Sequence, residues 1–415
     1  MNSARSGRVH GPALFSLLSL LHLLQPCLAL PPSLRAAEGA KLIVSLPMDY
    51  QVHQRQSRTE GRIPITLHFP AGTAPERDAV VEARLVPAAG AKTTDSWQKL
   101  GEQKAGVAEF KGELSHAPAG GWYRLELRVK TGDTLLGQAE VQHVGVGEIF
   151  VIAGQSNSAN HGEGKQQPKS GLVVNFSGQR WAPAEDPQPG ASGSGGSFIP
   201  ALGDALVAVL KVPVGVVCAG VGATSVREWL PRGTRFPNPP TLTGNVTAIS
   251  PTEWEAKGSL FSDFAARVKE LGRDGFRAVL WHQGESDAHQ ADPARTLSGD
   301  RYRDYLSLLI QETRREAGWA CPWFVALVSY HAPDDAGSPE IRGAQLAVCR
   351  RGLALEGPDS DALVGDLRDG GGKGIHFSAK GLEEHGRGWA DKLEPWLEQE
   401  LDDFAVARAR AGAQP

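Results

Sequence analysis

At Gly147 the hydrophobic pattern of this 415-residue chain changes character, and that change limits what the chain can fold into. From about 41 to 146 apolar and polar residues alternate in short runs, at 41–46, 62–67, 80–85 and 123–129. Alternation with period two marks strands that have one buried and one wet face. Turns such as Pro70-Ala71-Gly72 and Pro118-Ala119-Gly120-Gly121 separate the runs. The pattern over 41–146 therefore predicts an all-β sandwich of immunoglobulin-like architecture. From Gly147 onward the apolar runs are continuous, at 148–153, 212–219, 276–281 and 322–329, and they alternate with helical spacing at 261–271, 302–317 and 382–401. Strands covered on both faces read in this way, so 147–402 is expected to be a three-layer α/β domain around a parallel sheet. Residues 403–415 read as a flexible tail. Pro/Gly/Ser-rich 183–197 reads as a mobile loop, and 231–259 as a long loop.

The N-terminus carries a separate signal. Arg5 and Arg8 precede an apolar stretch at 13–24, and Cys27-Leu28-Ala29 puts small residues where a signal peptidase inspects them. The stretch is too short to span a bilayer, so residues 1–29 read as a cleaved signal peptide. The mature chain is expected to be secreted or periplasmic, with no membrane attachment after cleavage. Pro26 argues against a lipid-modified Cys27, because a small residue is wanted there. A net charge of -4 without any block of Lys or Arg excludes an electrostatic case for nucleic acid. Three cysteines remain after cleavage, Cys218, Cys321 and Cys349, and they read as buried free thiols rather than a disulfide scaffold. No Cys/His spacing resembles a zinc site, and neither metal nor cofactor is expected.

Open parallel sheets carry their sites at the carboxyl ends of the strands. The residues just past the expected strands are Gly154-Gln155-Ser156-Asn157, Gly220-Val221-Gly222-Ala223-Thr224-Ser225 and His282-Gln283-Gly284-Glu285-Ser286-Asp287, with Gly374-Ile375-His376-Phe377-Ser378 before the last helix. They supply a hydroxyl, backbone amides, a side-chain amide, carboxylates and an imidazole, which acyl transfer requires. A serine needs a neighbouring base, and His376 can accept and return a proton near neutrality. Candidate donors to the oxyanion are the amides of Ser156 and Gly222 and the side chain of Gln283. Gly222 would let substrate approach the backbone closely. Taken singly these motifs are common features of turns and strand ends. Their joint order carries the reading.

The four blocks, with Trp229, resemble the sialate O-acetylesterase domain family. That family is a branch of the SGNH (GDSL-like) hydrolases that also holds acetylxylan esterases. The resemblance runs over about 147–400 and implies a flavodoxin-like sheet. It also implies metal-free removal of O-acetyl groups from glycans through an acyl-serine. By matching motif it assigns Ser156 as nucleophile, His376 as base, and Gly222 and Gln283 as oxyanion partners. Asn157 and Trp229 are expected to contact substrate, and Trp229 and Trp254 offer aromatic faces for a sugar ring. Relatives often carry Asp three residues before the histidine, where this chain has Lys373, so the acid that orients His376 stays open among Glu285, Asp366 and Asp369. Glu285 is favoured, because it leaves the strand end on the same side as Gln283. The competing readings are a binding or adhesion protein that has lost catalysis, and a carboxylesterase for non-sugar esters.

Overall fold

A computed structural model describes residues 39–88, 94–333, 335 and 337–412, so the signal-peptide reading of 1–29 lies outside the described residues. The strands β1 (Ala40–Lys41), β2 (Ile43–Leu46), β3 (Gln51–Gln54), β4 (Glu60–His68), β5 (Ala79–Pro87), β6 (Thr94–Gln103), β7 (Glu109–Pro118), β8 (Gly120–Thr131) and the long β9 (Thr134–Gly154) follow one another without a helix. One sheet has the order β2-β4-β7, and the other runs β6-β5-β8-β9 with β1 and β3 parallel to β9. Ile63, Ile65 and Leu67 of β4 and Val81, Ala83 and Leu85 of β5 point inward and are buried. They share a cluster with Leu125, Leu127 and Val129 of β8, so the two sheets enclose one core.

The second half contains β10 (Val173–Phe176), β11 (Trp181–Pro183), α1 (Ile199–Leu210), β12 (Val214–Cys218), β13 (Arg235–Phe236), β14 (Val246–Ser250), β15 (Glu253–Ala256), α2 (Ser259–Leu271), β16 (Ala278–His282), α3 (Gly299–Ala317), β17 (Trp323–Leu327), α4 (Pro339–Arg350), β18 (Leu355–Asp359) and a C-terminal helix (Ala379–Gly412). The sheet order is β11-β10-β12-β9-β16-β17-β18, parallel except for the β10–β11 pair. Successive residues of β9 feed opposite faces. Ile149, Val151 and Ala153 pack with α2, α3 and α4, whereas Phe150 and Ile152 pack with α1 and the C-terminal helix. Helices thus cover both faces, which explains the continuous apolar runs.

The change of pattern at Gly147 falls inside a strand. Residues 134–146 of β9 pair with β8, and 148–154 pair with β12 and β16. A Cβ at Gly147 would lie 1.9 Å from the Pro213 carbonyl oxygen, so the crossing of the two units needs glycine there.

Three expectations are corrected. The 231–259 stretch holds a small sheet, β13-β15-β14, in place of a loop. The 183–197 stretch is irregular but tied down, with Asp186 accepting from the amides of Gln166 and Ser197 and from the Ser197 hydroxyl. Residues 403–412, expected in the tail, continue the C-terminal helix to Gly412, in keeping with the helix propensity of Ala and Arg. No helix among the described residues is long and apolar enough to cross a membrane.

Candidate active site

The sheet order reverses at β9, with β12 on one side and β16 on the other, and ligands bind at such a point beyond the strand ends. A cavity of about 490 Å³ opens there, and Ser156, Asn157, Gly222, Glu285 and His376 all line it. The chain leaves β9 at Gly154 with φ +132, where a Cβ would stand 2.0 Å from the His282 carbonyl oxygen. A short turn, Ser156–Ser158, follows, and Ser158 Oγ donates to the Gln155 carbonyl at 2.7 Å. The Gln155 side-chain oxygen accepts from the Ser286 amide at 3.0 Å and from Gln283 Nε2 at 3.2 Å. These bonds fix the Ser156 turn to the loop after β16.

The acid beside His376 is Asp369, which corrects the preference for Glu285. Asp369 Oδ2 lies 3.5 Å from His376 Nδ1. The backbones of the two residues are joined as well. The Asp369 amide donates to the His376 carbonyl at 2.9 Å, and the His376 amide donates to Asp369 Oδ1 at 3.1 Å. Gly370, Gly371 and Gly372, at φ 58, 69 and 86, take left-handed conformations that reverse the chain between them. A Cβ at Gly374 would stand 1.6 Å from Asp369 Oδ1, so only glycine leaves room for that carboxylate. Burial lowers the pKa of His376, and Asp369 opposes the shift. Asp366 pairs instead with Lys380 at 2.7 Å, and Lys373 is exposed.

Glu285 faces the other way. Its Oε1 accepts from Asn157 Nδ2 at 3.0 Å and comes within 3.9 Å of His282 Nδ1. Burial pushes Glu285 up to about 7 and His282 down to about 3, so this approach joins two groups each biased toward neutrality. Asn157 Nδ2 also donates to the Ile375 carbonyl at 3.1 Å, and Arg368 Nη1 donates to the same oxygen at 3.0 Å. The residue before His376 is therefore held from two sides.

Two further assignments are corrected by burial. Gln283 is fully buried and does not line the cavity; its Nε2 donates to Asp287 Oδ2 at 2.7 Å and the Thr224 carbonyl at 3.1 Å, as well as to Gln155. Trp229 is 1% exposed, donates from Nε1 to Thr224 Oγ1 at 2.9 Å and meets Trp281 and Phe264 edge-on, as a core residue does. Trp254 packs on the small cluster of Leu230 and Phe236, away from the cavity. Gly222 lines the cavity, but its amide donates to Ser192 Oγ at 2.7 Å. Sequence reasoning missed Ser192 and His161, a lone serine and a lone histidine in loops, which only the folded chain brings to the rim.

Comparison with known proteins adds a family. Residues 146–393 match the model of a family described as carbohydrate esterase, sialic acid-specific acetylesterase. No curated protein matches the chain. Among solved structures the chain is similar to a carbohydrate acetylesterase from Xanthomonas citri, with 17% identity and a TM-score of 0.49 over 84% of this chain and 74% of that one. A protein from Arabidopsis thaliana matches with 20% identity and a TM-score of 0.41 over 62% and 98%. A carbohydrate esterase family 2 enzyme with a carbohydrate binding domain, from Corynascus thermopiles (Myceliophthora fergusii), matches with 11% identity and a TM-score of 0.35 over 86% and 100%.

Proposed function

We infer the activity from one premise: the chain belongs to the carbohydrate esterase family of sialic acid-specific acetylesterases. The reading is a secreted serine esterase that removes O-acetyl groups from carbohydrates, of sialate or acetylxylan type. The observation that carries it is the convergence of Ser156 and His376 on one cavity, with Asp369 behind the imidazole. In this mechanism His376 takes the Ser156 proton as Oγ attacks the acetyl carbonyl. The tetrahedral intermediate collapses, and the sugar oxygen leaves with that proton. Water, deprotonated by His376, then cleaves the acetyl-serine to acetate and free Ser156. Asp369 accepts the hydrogen bond of Nδ1, fixing the tautomer and stabilising the imidazolium.

The finer readings have support of the same kind. Counting only β9, β12, β16, β17 and β18, the order is 2-1-3-4-5, the flavodoxin-like arrangement, with β10 and β11 added at the edge. A three-strand sheet facing the β6-β5-β8-β9 sheet, to which the short β1 and β3 add at β9, supports the immunoglobulin-like reading of 41–146. Secretion rests on the sequence of residues 1–29.

A fluorophosphonate should label Ser156 one-to-one, and Ser156→Ala should abolish acetate release from O-acetylated sialic acid, xylan and other glycans. Labelling elsewhere, or an active Ser156→Ala, sinks the mechanism. An enzyme that cleaves simple aryl acetates but no acetylated glycan is a general carboxylesterase.

A further inference from the structure

A second serine and a second histidine stand beside Ser156 and His376. Ser192 Oγ lies 3.1 Å from His161 Nε2, and the His161 ring centroid is 5.4 Å from that of His376. The same Oγ accepts the Gly222 N–H at 2.7 Å. The amide marked by motif for the oxyanion is thus engaged by a side chain. Gly222 also has a different reason to be glycine than substrate approach. A Cβ there would stand 2.7 Å from His161 Nε2, so the imidazole occupies that space.

Ser192 is built into a fixed frame. Its amide donates to the Gly220 carbonyl at 2.8 Å, and its carbonyl accepts from the Asn160 amide at 2.9 Å. Asn160 Nδ2 donates to the Gln188 and Ala191 carbonyls at 2.9 and 3.3 Å. Gly193 follows at φ +89, where a Cβ would lie 2.3 Å from the Asn160 carbonyl oxygen. The hydroxyl can rotate about its own torsion, but its backbone is held in place.

A hydroxyl that accepts one hydrogen bond still has one proton to donate, and the accepted bond polarises that proton. We propose that Ser192 is an oxyanion donor: its oxygen takes the Gly222 N–H while its O–H turns from His161 Nε2 to the acetyl carbonyl oxygen as Ser156 attacks. The donation relays the Gly222 dipole to the substrate, and His161 holds the hydroxyl rotamer while the site is empty. Burial and the neighbouring His376 lower the pKa of His161 and so favour the neutral ring, whose Nε2 accepts in the tautomer that carries its proton on Nδ1. The proposal rests on Ser156 being the nucleophile.

The test compares wild type with Ser192→Ala, Ser192→Thr and Ser192→Cys on p-nitrophenyl acetate, with phenylboronic acid as the probe that adds to a nucleophilic serine as a tetrahedral anion. Loss of a donor to the oxyanion lowers kcat by about a hundredfold in Ser192→Ala, with KM little changed and boronate affinity reduced in parallel. Ser192→Thr keeps most of kcat, Ser192→Cys falls between, and all melt near the wild-type temperature. Should Ser192→Ala not fold, wild type against Ser192→Cys carries the comparison, since the thiol keeps the unbranched side chain but is the weaker donor, and Ser192→Thr checks that a hydroxyl with an added methyl still works. An unchanged or raised kcat in Ser192→Ala overturns the proposal, because the hydroxyl would then merely block the Gly222 amide. A loss confined to KM, or a kcat loss without weaker boronate binding, makes Ser192 structural and overturns it too. Fluorophosphonate on Ser192 makes it the nucleophile instead. A wild type inactive on every ester sinks the esterase reading itself, whereas an active wild type with an indifferent Ser192→Ala sinks only this inference.

Discussion

Asp369 and His376 are seven positions apart, yet they share one backbone–backbone hydrogen bond, one from the His376 amide to the Asp369 carboxylate, and a carboxylate–imidazole contact. That geometry reverses the sequence-based ranking of the acids. Asp369→Asn is expected to lower kcat by up to about ten-thousandfold, the scale of a tautomer-breaking change, while Glu285→Gln has a far smaller effect. Steady-state kinetics on an aryl acetate decide between them. Glu285→Gln has a separate signature in stability. With its folded pKa raised to about 7, Glu285 keeps a proton that the unfolded chain releases above the ordinary carboxylate range. Its contribution is therefore fully present below about pH 4.5 and is lost as pH rises through 7. Relative to wild type, Glu285→Gln should gain melting temperature above pH 7 and not below pH 4.5; equal curves at all pH values would place the proton elsewhere. That Ser156 and His376 share one cavity was legible, because each sits in a block just past a strand or before a helix, in the order the chemistry asks for. Asp369 was not, since glycine reads the same whatever the sign of φ, and it is the left-handed run at 370–372 that folds the acid back.

At the scale of elements, the second half of β9 and the whole of β12, β16 and β17 were legible because each is a run of residues buried on both faces. The outer strands were not: β18 reads Leu-Glu-Gly-Pro-Asp, β10 is four residues long, and β11 at the edge has three. The same burial misled the assignment of Gln283 and Trp229. Both follow a buried strand of the sheet, but the core extends past the strand end, and a polar residue there can serve the fold. Asp287 shows how. It accepts from Ser225 Oγ at 2.5 Å, the Val226 amide at 2.8 Å and Arg227 at 3.1 Å. Arg227 in turn donates to the carbonyls of Asn238 and Pro239, and Arg295 donates to those of Pro240 and Thr241. Two guanidinium groups thus hold four successive carbonyls of the segment that brings Thr241 and Leu242 to the cavity. Arg295→Ala should loosen this lip and raise KM more than it lowers kcat. A change in kcat alone would mean that the segment touches the chemistry.

For the whole molecule, acid is the vulnerable side. Burial holds His53 at about 4, His282 at about 3 and His385 well below its ordinary value. These rings stay neutral in the fold, while the unfolded chain binds protons below about pH 6.5, so their contribution is present above that pH and lost as it falls. Each such proton is worth about 1.4 kcal/mol per pH unit. Melting temperature should decline from pH 6.5 to 4.5 and more steeply below, where Glu228 and Glu285 cease to oppose the trend. His282→Asn should flatten the decline, and a slope indifferent to that change would exclude the ring. Glu148, fully buried at the middle of β9, ties the two halves together through Arg55 at 2.5 Å and Arg277 at 2.7 Å. Leaving a buried charge unpaired typically costs about 3–5 kcal/mol; Arg277 and Gln54 still hold Glu148 when Arg55 is lost, so Arg55→Met should lower stability by less than that, with both halves still melting in one cooperative transition by calorimetry. The strand that runs through both halves sets a limit on reach. Here strand 134–154 is the tether, and it has the stiffness of a sheet. The sandwich therefore does not swing on its own, and the distance from any point on it to Ser156 is set by the fold.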